Sequence, residues 1–235
     1  APGARSASKN IWLSPSEIAA IDTLGDHSPA WVRVRNAANA SAATWGKADM
    51  KDDGNRTASY TYAAALVYAR TGITHYRQRV RDTVMAAMRS CPVKDSLIRN
   101  AGGGWLAISR QAGTYAIAAD IIDLESFAPD SHTIFKAYLD SLRWVPMESF
   151  NSSFGNSVTR MHESSPNLPS FGAQRALLNR YIGNVPDLTR CADLYRSYFD
   201  QSYYPAGTVW FPSGANAGDY FQKRNRAFLK MYDIY

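Results

Sequence analysis

The sequence predicts an all-α fold, and three observations carry that expectation. Apolar residues recur at helical spacing in one segment after another, with no stretch of the alternation that marks a half-buried strand. Start and stop signals bracket those segments, among them Ser14-Pro15, Ser28-Pro29, Thr71-Gly72 and Gly183. The third is an internal echo. Ala64…Tyr68…Thr71-Gly72-Ile-Thr-His-Tyr76…Val80…Val84 and Ala176…Arg180-Tyr181…Gly183-Asn…Leu188…Ala192…Tyr195 both read as a helix, a glycine stop, a short turn and a return helix. Repeated helical hairpins of this kind build either a solenoid or an α/α toroid, closed or open. The expectation taken forward is an incomplete or open (α/α) toroid.

Residues 1–13 read as a small, polar, flexible leader, as the residue of signal-peptide cleavage would. Residues 14–235 read as one domain that continues in a longer parent protein. Ser14-Pro-Ser-Glu17 is a capping box with proline at the first helical position, opening a helix to about Leu24. Ser28-Pro29 opens the next, to about Ala43, with Trp31, Val34, Ala38 and Ala42 along one side. Lys47 to Arg56 is a polar loop rich in carboxylates and turn formers. From Thr57 to Arg70, residues Ala58, Tyr62, Ala65, Leu66 and Ala69 keep helical spacing. Thr71-Gly72 stops that helix, and Thr74 caps a second from His75 to about Arg89, whose apolar side is Val80, Val84, Ala87 and Met88.

After the loop Asn100-Ala-Gly-Gly-Gly104, a helix spans Trp105 to Leu124, with Leu106, Tyr115, Ala118, Ala119 and Ile122 expected inside. Asp130-Ser131 opens another, to about Trp144. The stretch from Glu148 to Pro169 has little periodicity, and a loop of that length is expected to serve function. Ser170 then caps a helix ended by Gly183, Asp187 caps one to about Asp200, an aromatic loop follows at Tyr203–Gly214, and a last helix starts near Ala217.

With 235 residues the chain is long enough for a sizeable core. The net charge of +6 favours an acidic partner: nucleic acid, anionic glycan or membrane surface. The basic residues are scattered, with no run of five, which argues against nucleic acid. No apolar stretch reaches the length of a membrane-spanning helix. Two cysteines, Cys91 and Cys191, admit two readings. One is a long-loop disulfide worth about 4–5 kcal/mol in the chain-entropy model; the other is a pair of buried thiols. Neither a CxxC pattern nor a His/Cys cluster points to zinc, and no metal or cofactor is expected.

Three stretches carry a resemblance: Tyr62-Ala-Ala-Ala-Leu-Val-Tyr-Ala-Arg-Thr-Gly72…Tyr76-Arg, Ser109-Arg-Gln-Ala-Gly-Thr-Tyr115-Ala-Ile-Ala-Ala-Asp120, and Pro166-Asn167…Gly172-Ala-Gln-Arg175. In their order and spacing they resemble the alginate-lyase-like group of polysaccharide lyases. Those are secreted α/α toroids that cleave uronic-acid-containing polysaccharides by β-elimination. The resemblance implies a secreted or cell-surface protein acting on an anionic polysaccharide, with further helices of the toroid supplied by the parent chain or a partner. Two departures stand beside it. Asn167-Leu168-Pro169 keeps only one of the amides found in the family's loop. In the late Arg-rich segment, aligning on Arg226-Ala227 places Lys230, and not Tyr232, at the tyrosine position.

β-Elimination needs a neutraliser for the uronate carboxylate, a base for the C5 proton and an acid for the leaving O4. Amide and guanidinium groups suit the first role because they donate hydrogen bonds without titrating near neutral pH. Asn167 and Arg175 are the candidates, with a helix cap and a buried hydrogen-bonding role as their plainer alternatives. His162, Tyr115, Tyr220 and Tyr232 are candidates for base and acid, provided nearby cations lower a tyrosine pKa. Arg110, Lys223 and Arg224 would bind carboxylates, and Trp105, Trp210 or Tyr204 would stack on sugar faces; core packing and a solvated basic face are the plainer readings. A glycoside hydrolase on the same scaffold would draw on Asp49, Asp52, Asp53 and Glu163. A non-catalytic glycan-binding protein is the third possibility.

Overall fold

The computed structural model describes residues 9–21, 23, 25–41, 45–93, 104–142 and 168–197. Within these residues the chain is all-α, without strands. In chain order the helices are α1 (Pro15–Ile21), α2 (Pro29–Ala38), α3 (Thr57–Thr71), α4 (Thr74–Ser90), α5 (Gly104–Ile121), α6 (Leu124–Phe127), α7 (Pro129–Leu142), α8 (Leu168–Ile182) and α9 (Val185–Ser197).

Local chemistry fixes most of the boundaries. The capping box is formed: the Ser14 amide donates to Glu17 Oε2 at 2.8 Å, and the Glu17 amide donates to Ser14 Oγ at 3.3 Å. Gly72 ends α3 in the left-handed region at φ +69°, its amide donating to the Tyr68 carbonyl, and Gly183 ends α8 at φ +82°. Asp123, also left-handed at φ +50°, breaks the expected Trp105–Leu124 helix into α5 and α6, and its carboxylate accepts from the Ser126 amide to cap α6.

Four expected boundaries shift. Helix α2 stops at Ala38 and not near Ala43, because Arg79 reaches across from α4 and donates to the Ala38 and Ala40 carbonyls, both at 3.0 Å. Ser28 makes no side-chain cap, and Ile73 is the residue ahead of α4, which takes Thr74 as its first. Ser170 lies inside α8, which starts two residues earlier; Pro169 is tolerated there because first-turn amides need no intrahelical acceptor. Asp187 lies inside the first turn of α9, where its amide donates to Asn184 Oδ1 at 3.0 Å.

The helices stack as pairs. Helix α3 packs against α1, α2, α4 and α5; α8 packs against α5, α7 and α9; and α4 touches both α5 and α7. Alanines 63, 64, 65 and 69 are buried along α3, and such small side chains let four neighbours approach. Gly113 does the same for α5 and α8: a Cβ there would lie 2.9 Å from Leu177 Cδ1. The core continues through Tyr115, Ile108, Leu139, Phe135, Leu178 and Tyr181.

Helices α3, α5 and α8 run parallel. Asp52 and Asp53, just ahead of α3, bind Gln111 and Arg110 two turns into α5, and the Gly113 amide in the middle of α5 donates to Gln174 Oε1 in the middle of α8. Near their ends, Arg77 donates to the Ile122 carbonyl at 2.8 Å. There the Lys9 amide donates to Asp120 at 2.6 Å, while its ammonium lies over the Tyr181 ring. Residues 9–13, expected to be leader, are therefore held at this end, with Ile11 and Leu13 packed on the core. Cys91 and Cys191 are buried thiols that are not joined in a disulfide, so the disulfide reading is set aside.

Candidate functional site

The loop ahead of α3 meets α5 two turns into that helix, at Arg110 and Gln111, and the middle of α5 meets the middle of α8 where the Gly113 amide donates to Gln174. Residues 49–56 form the best-described part of this region. Two internal turns shape the loop: Asp49 Oδ1 accepts from the Lys51 amide and Asp52 Oδ1 from the Gly54 amide, both at 2.9 Å. Two moorings fix it. The Met50 amide donates to Ser90 Oγ of α4, and Gln111 Nε2 donates to the Asp52 carbonyl at 2.7 Å.

On this floor stands Arg110. Its Nη1 donates to both Asp53 oxygens, at 2.9 and 2.6 Å, and each side chain is about half exposed, at 50% and 47%. An ion pair this wet is worth about 0–1 kcal/mol, so an incoming carboxylate competes with Asp53 on near-equal terms. Arg110 is thus a half-exposed cation on α5 whose ion-pair partner is a surface carboxylate. Trp105 belongs to the first turn of α5, and Asn167 directly precedes the first residue of α8.

Two expected site residues sit elsewhere. Tyr115 is 1% exposed, its hydroxyl has no hydrogen-bond partner among the described residues, and burial pushes its pKa well above that of a free phenol. A base needs the opposite shift, so Tyr115 is a core residue and not a proton carrier. Arg175 is buried between α8 and α9, where Nε and Nη2 grip Asp187 at 2.9 and 2.6 Å. Nε and Nη2 are spent on the hairpin, as in the plainer alternative.

The hydrolase candidates are engaged as well: Asp53 by Arg110, and Asp49 and Asp52 by their own loop. Asn167, His162, Glu163, Tyr204, Trp210, Tyr220, Lys223, Arg224 and Tyr232 lie outside the described residues. So do the whole of the expected aromatic loop and the late Arg-rich helix. Gln111 and Gln174 were missed by the sequence reading; Gln111 follows Arg110 and Gln174 precedes Arg175, and only the approach of the loop ahead of α3 and of α8 to α5 reveals them. No group of three or more metal-ligating side chains occurs among the described residues, and no described helix is long and apolar enough to cross a membrane. Compared with family models, curated proteins and solved structures, the chain matches none.

Proposed function

We propose that this chain belongs to an open α/α toroid that cleaves a uronic-acid-containing polysaccharide by β-elimination, outside the cell or at its surface. The observation that supports this most is Arg110 of α5, a guanidinium held, among the described residues, only by the half-exposed Asp53 and therefore exchangeable with a substrate carboxylate. In the sequence Asn167 directly precedes α8, the helix whose Gln174 accepts from the Gly113 amide of α5.

In this reading Asn167 and Arg110 neutralise the substrate carboxylate, which makes the C5 proton acidic enough to abstract. His162 or Tyr232 takes that proton; the electron pair forms the C4–C5 double bond, and O4 leaves as it is protonated. Arg175 and Tyr115 take no part. Lys223, Arg224, Trp105 and Trp210 line the path of the chain on either side of the cleaved bond.

Incubation with a panel of acidic polysaccharides tests the proposal, because elimination leaves an unsaturated sugar that absorbs in the near ultraviolet and hydrolysis does not. Absorbance should rise with at least one polymer and be abolished in Asn167→Ala, while the melting midpoint moves by only a few degrees. Full activity in that variant removes Asn167 from the chemistry. Binding to acidic polymer without turnover would support the second reading, a non-catalytic glycan-binding protein, which the core position of Tyr115 also favours.

A further inference from the structure

A second concave site lies on the flank of the molecule, between the segment Trp45–Ala48, the start of α3 and the C-terminal half of α4. It has a volume of about 560 Å³, within the usual 300–1,000 Å³ of small-molecule sites. Its charged lining is Lys47, Arg79, Arg89 and Asp82. These groups are not equivalent. Arg79 has spent both terminal nitrogens on the Ala38 and Ala40 carbonyls and lies 3.9 Å over the Trp45 ring, so it forms part of the wall. Asp82 is paired with Arg81 at 2.7 Å. The side chains of Lys47 and Arg89 have no hydrogen-bond or ion-pair partner among the described residues, and both are exposed.

The hydroxyls of the same wall are committed in the opposite sense. Thr57 Oγ1 donates to the Trp45 carbonyl at 2.7 Å and Thr83 Oγ1 to the Arg79 carbonyl at 2.8 Å. With their protons used, these oxygens retain only lone pairs for a ligand. The cavity therefore presents two free cationic donors and a set of neutral acceptors. The complementary molecule carries an anionic oxygen group for the first and hydroxyl donors for the second.

We propose that this cavity binds a hydroxylated organic acid of sugar-acid size, its carboxylate held by Lys47 and Arg89 and its hydroxyls donating to Thr57 and Thr83. The site is separate from the elimination proposed above, since its lining includes none of Arg110, Asn167 or His162. A chain acting on acidic glycan would use such a site to hold a released acid or a neighbouring unit of the polymer.

Titration calorimetry of the full chain with D-glucuronate, D-glucose and inorganic sulfate tests this. Glucuronate should bind saturably, glucose should not bind, and sulfate should bind more weakly because it offers the hydroxyl oxygens nothing. Lys47→Ala and Arg89→Ala should each weaken glucuronate by about tenfold, the loss expected of one charge-assisted hydrogen bond, with an unchanged circular dichroism spectrum. Absence of glucuronate binding at millimolar concentration, equal binding of glucose, equal binding of sulfate, or variants that bind like the parent would each overturn the assignment. The ultraviolet elimination assay, run on the same two variants, keeps the outcomes apart. Elimination that persists while glucuronate binding is lost separates this site from the catalytic one.

Discussion

Replacing Asp187 with asparagine separates the structural role of Arg175 from the ligand-binding role that its position in the sequence suggested. Arg175 Nε and Nη2 meet the Asp187 oxygens at 2.9 and 2.6 Å, Asn179 Nδ2 also donates to Asp187, and both members of the ion pair are only 11% exposed. Burial works against the Arg175 charge, but the Asp187 carboxylate more than offsets it, so the guanidinium pKa lies above its ordinary value. Asp187→Asn keeps the shape and removes the charge, leaving a guanidinium in a poorly solvated place. Breaking one partner of a buried pair costs about 3–5 kcal/mol, and residual exposure argues for the lower end, about 3 kcal/mol. For a domain of this size each kcal/mol moves the midpoint by about 2–4 °C, so melting followed by far-ultraviolet circular dichroism should fall by about 6–12 °C. The double variant Arg175→Met/Asp187→Leu should recover most of that loss, because apolar replacement removes both desolvated charges. A midpoint within about 2 °C of the parent in Asp187→Asn, joined to weaker polymer binding, would return Arg175 to the ligand site.

The remaining expectations concern Asp53, His132 and the thiols. Asp53→Asn frees Arg110 from an exposed pair worth at most about 1 kcal/mol, so affinity for acidic polymer should rise by up to about fivefold with no loss of stability; weaker binding would show that Asp53 orders Arg110 for the ligand. His132 is 7% exposed, and its pKa is lowered chiefly by burial; Lys9 and Lys136 lower it further, while Glu125, 3.9 Å away, and Asp123 oppose the shift. With the folded value below the unfolded one of about 6.5, the unfolded chain takes up the proton first, so stability is full above that pH and declines as pH falls below it. His132→Gln should flatten this part of the stability–pH curve, and an unchanged slope would exclude His132 as its source. Reducing agent should leave the melting midpoint unmoved because Cys91 and Cys191 are separate buried thiols, and a fall of several degrees would reinstate the bridge.

The helices were legible because their signals are local: a capping box, two glycines in the left-handed region, and apolar spacing over Val80, Val84 and Ala87. What failed to read through was decided by partners distant in sequence. Helix α2 ends early because of an arginine some forty residues on. The Trp105–Leu124 helix breaks at an aspartate whose positive φ has no marker in composition, and Asp187, a good cap by type, is claimed by Arg175 and Asn179. The site divided the same way. Arg110 is polar on a helix face that meets solvent, so its type and its position agree. Tyr115 and Arg175 are equally suggestive by type, and only the approach of α8 to α5 and of α9 to α8 shows that both are enclosed.

The net charge of +6 changes meaning once its arginines are sorted by what they touch. Arg70 pairs with Asp26 and covers the Trp31 ring, Arg77 closes the end of α5 and stacks on Phe127, Arg79 ends α2, and Arg175 ties α8 to α9. These cations hold helices together, and their presence says nothing of a ligand. Cations engaged in this way add little to a general attraction to polyanions, which rests on those that are free or loosely held. Among such places are Arg110 with its exposed Asp53 and the Lys47–Arg89 cavity. Salt dependence measures the difference directly. If acidic polymer is gripped at these few points, the logarithm of its affinity should fall with the logarithm of salt concentration at a slope set by a few contacts, and substitution of Arg70 or Arg77 should alter stability without altering that slope. A slope that drops in those variants as much as in Arg110→Ala would mean that the charge acts as a diffuse field, and that neither site has the specificity argued from its geometry.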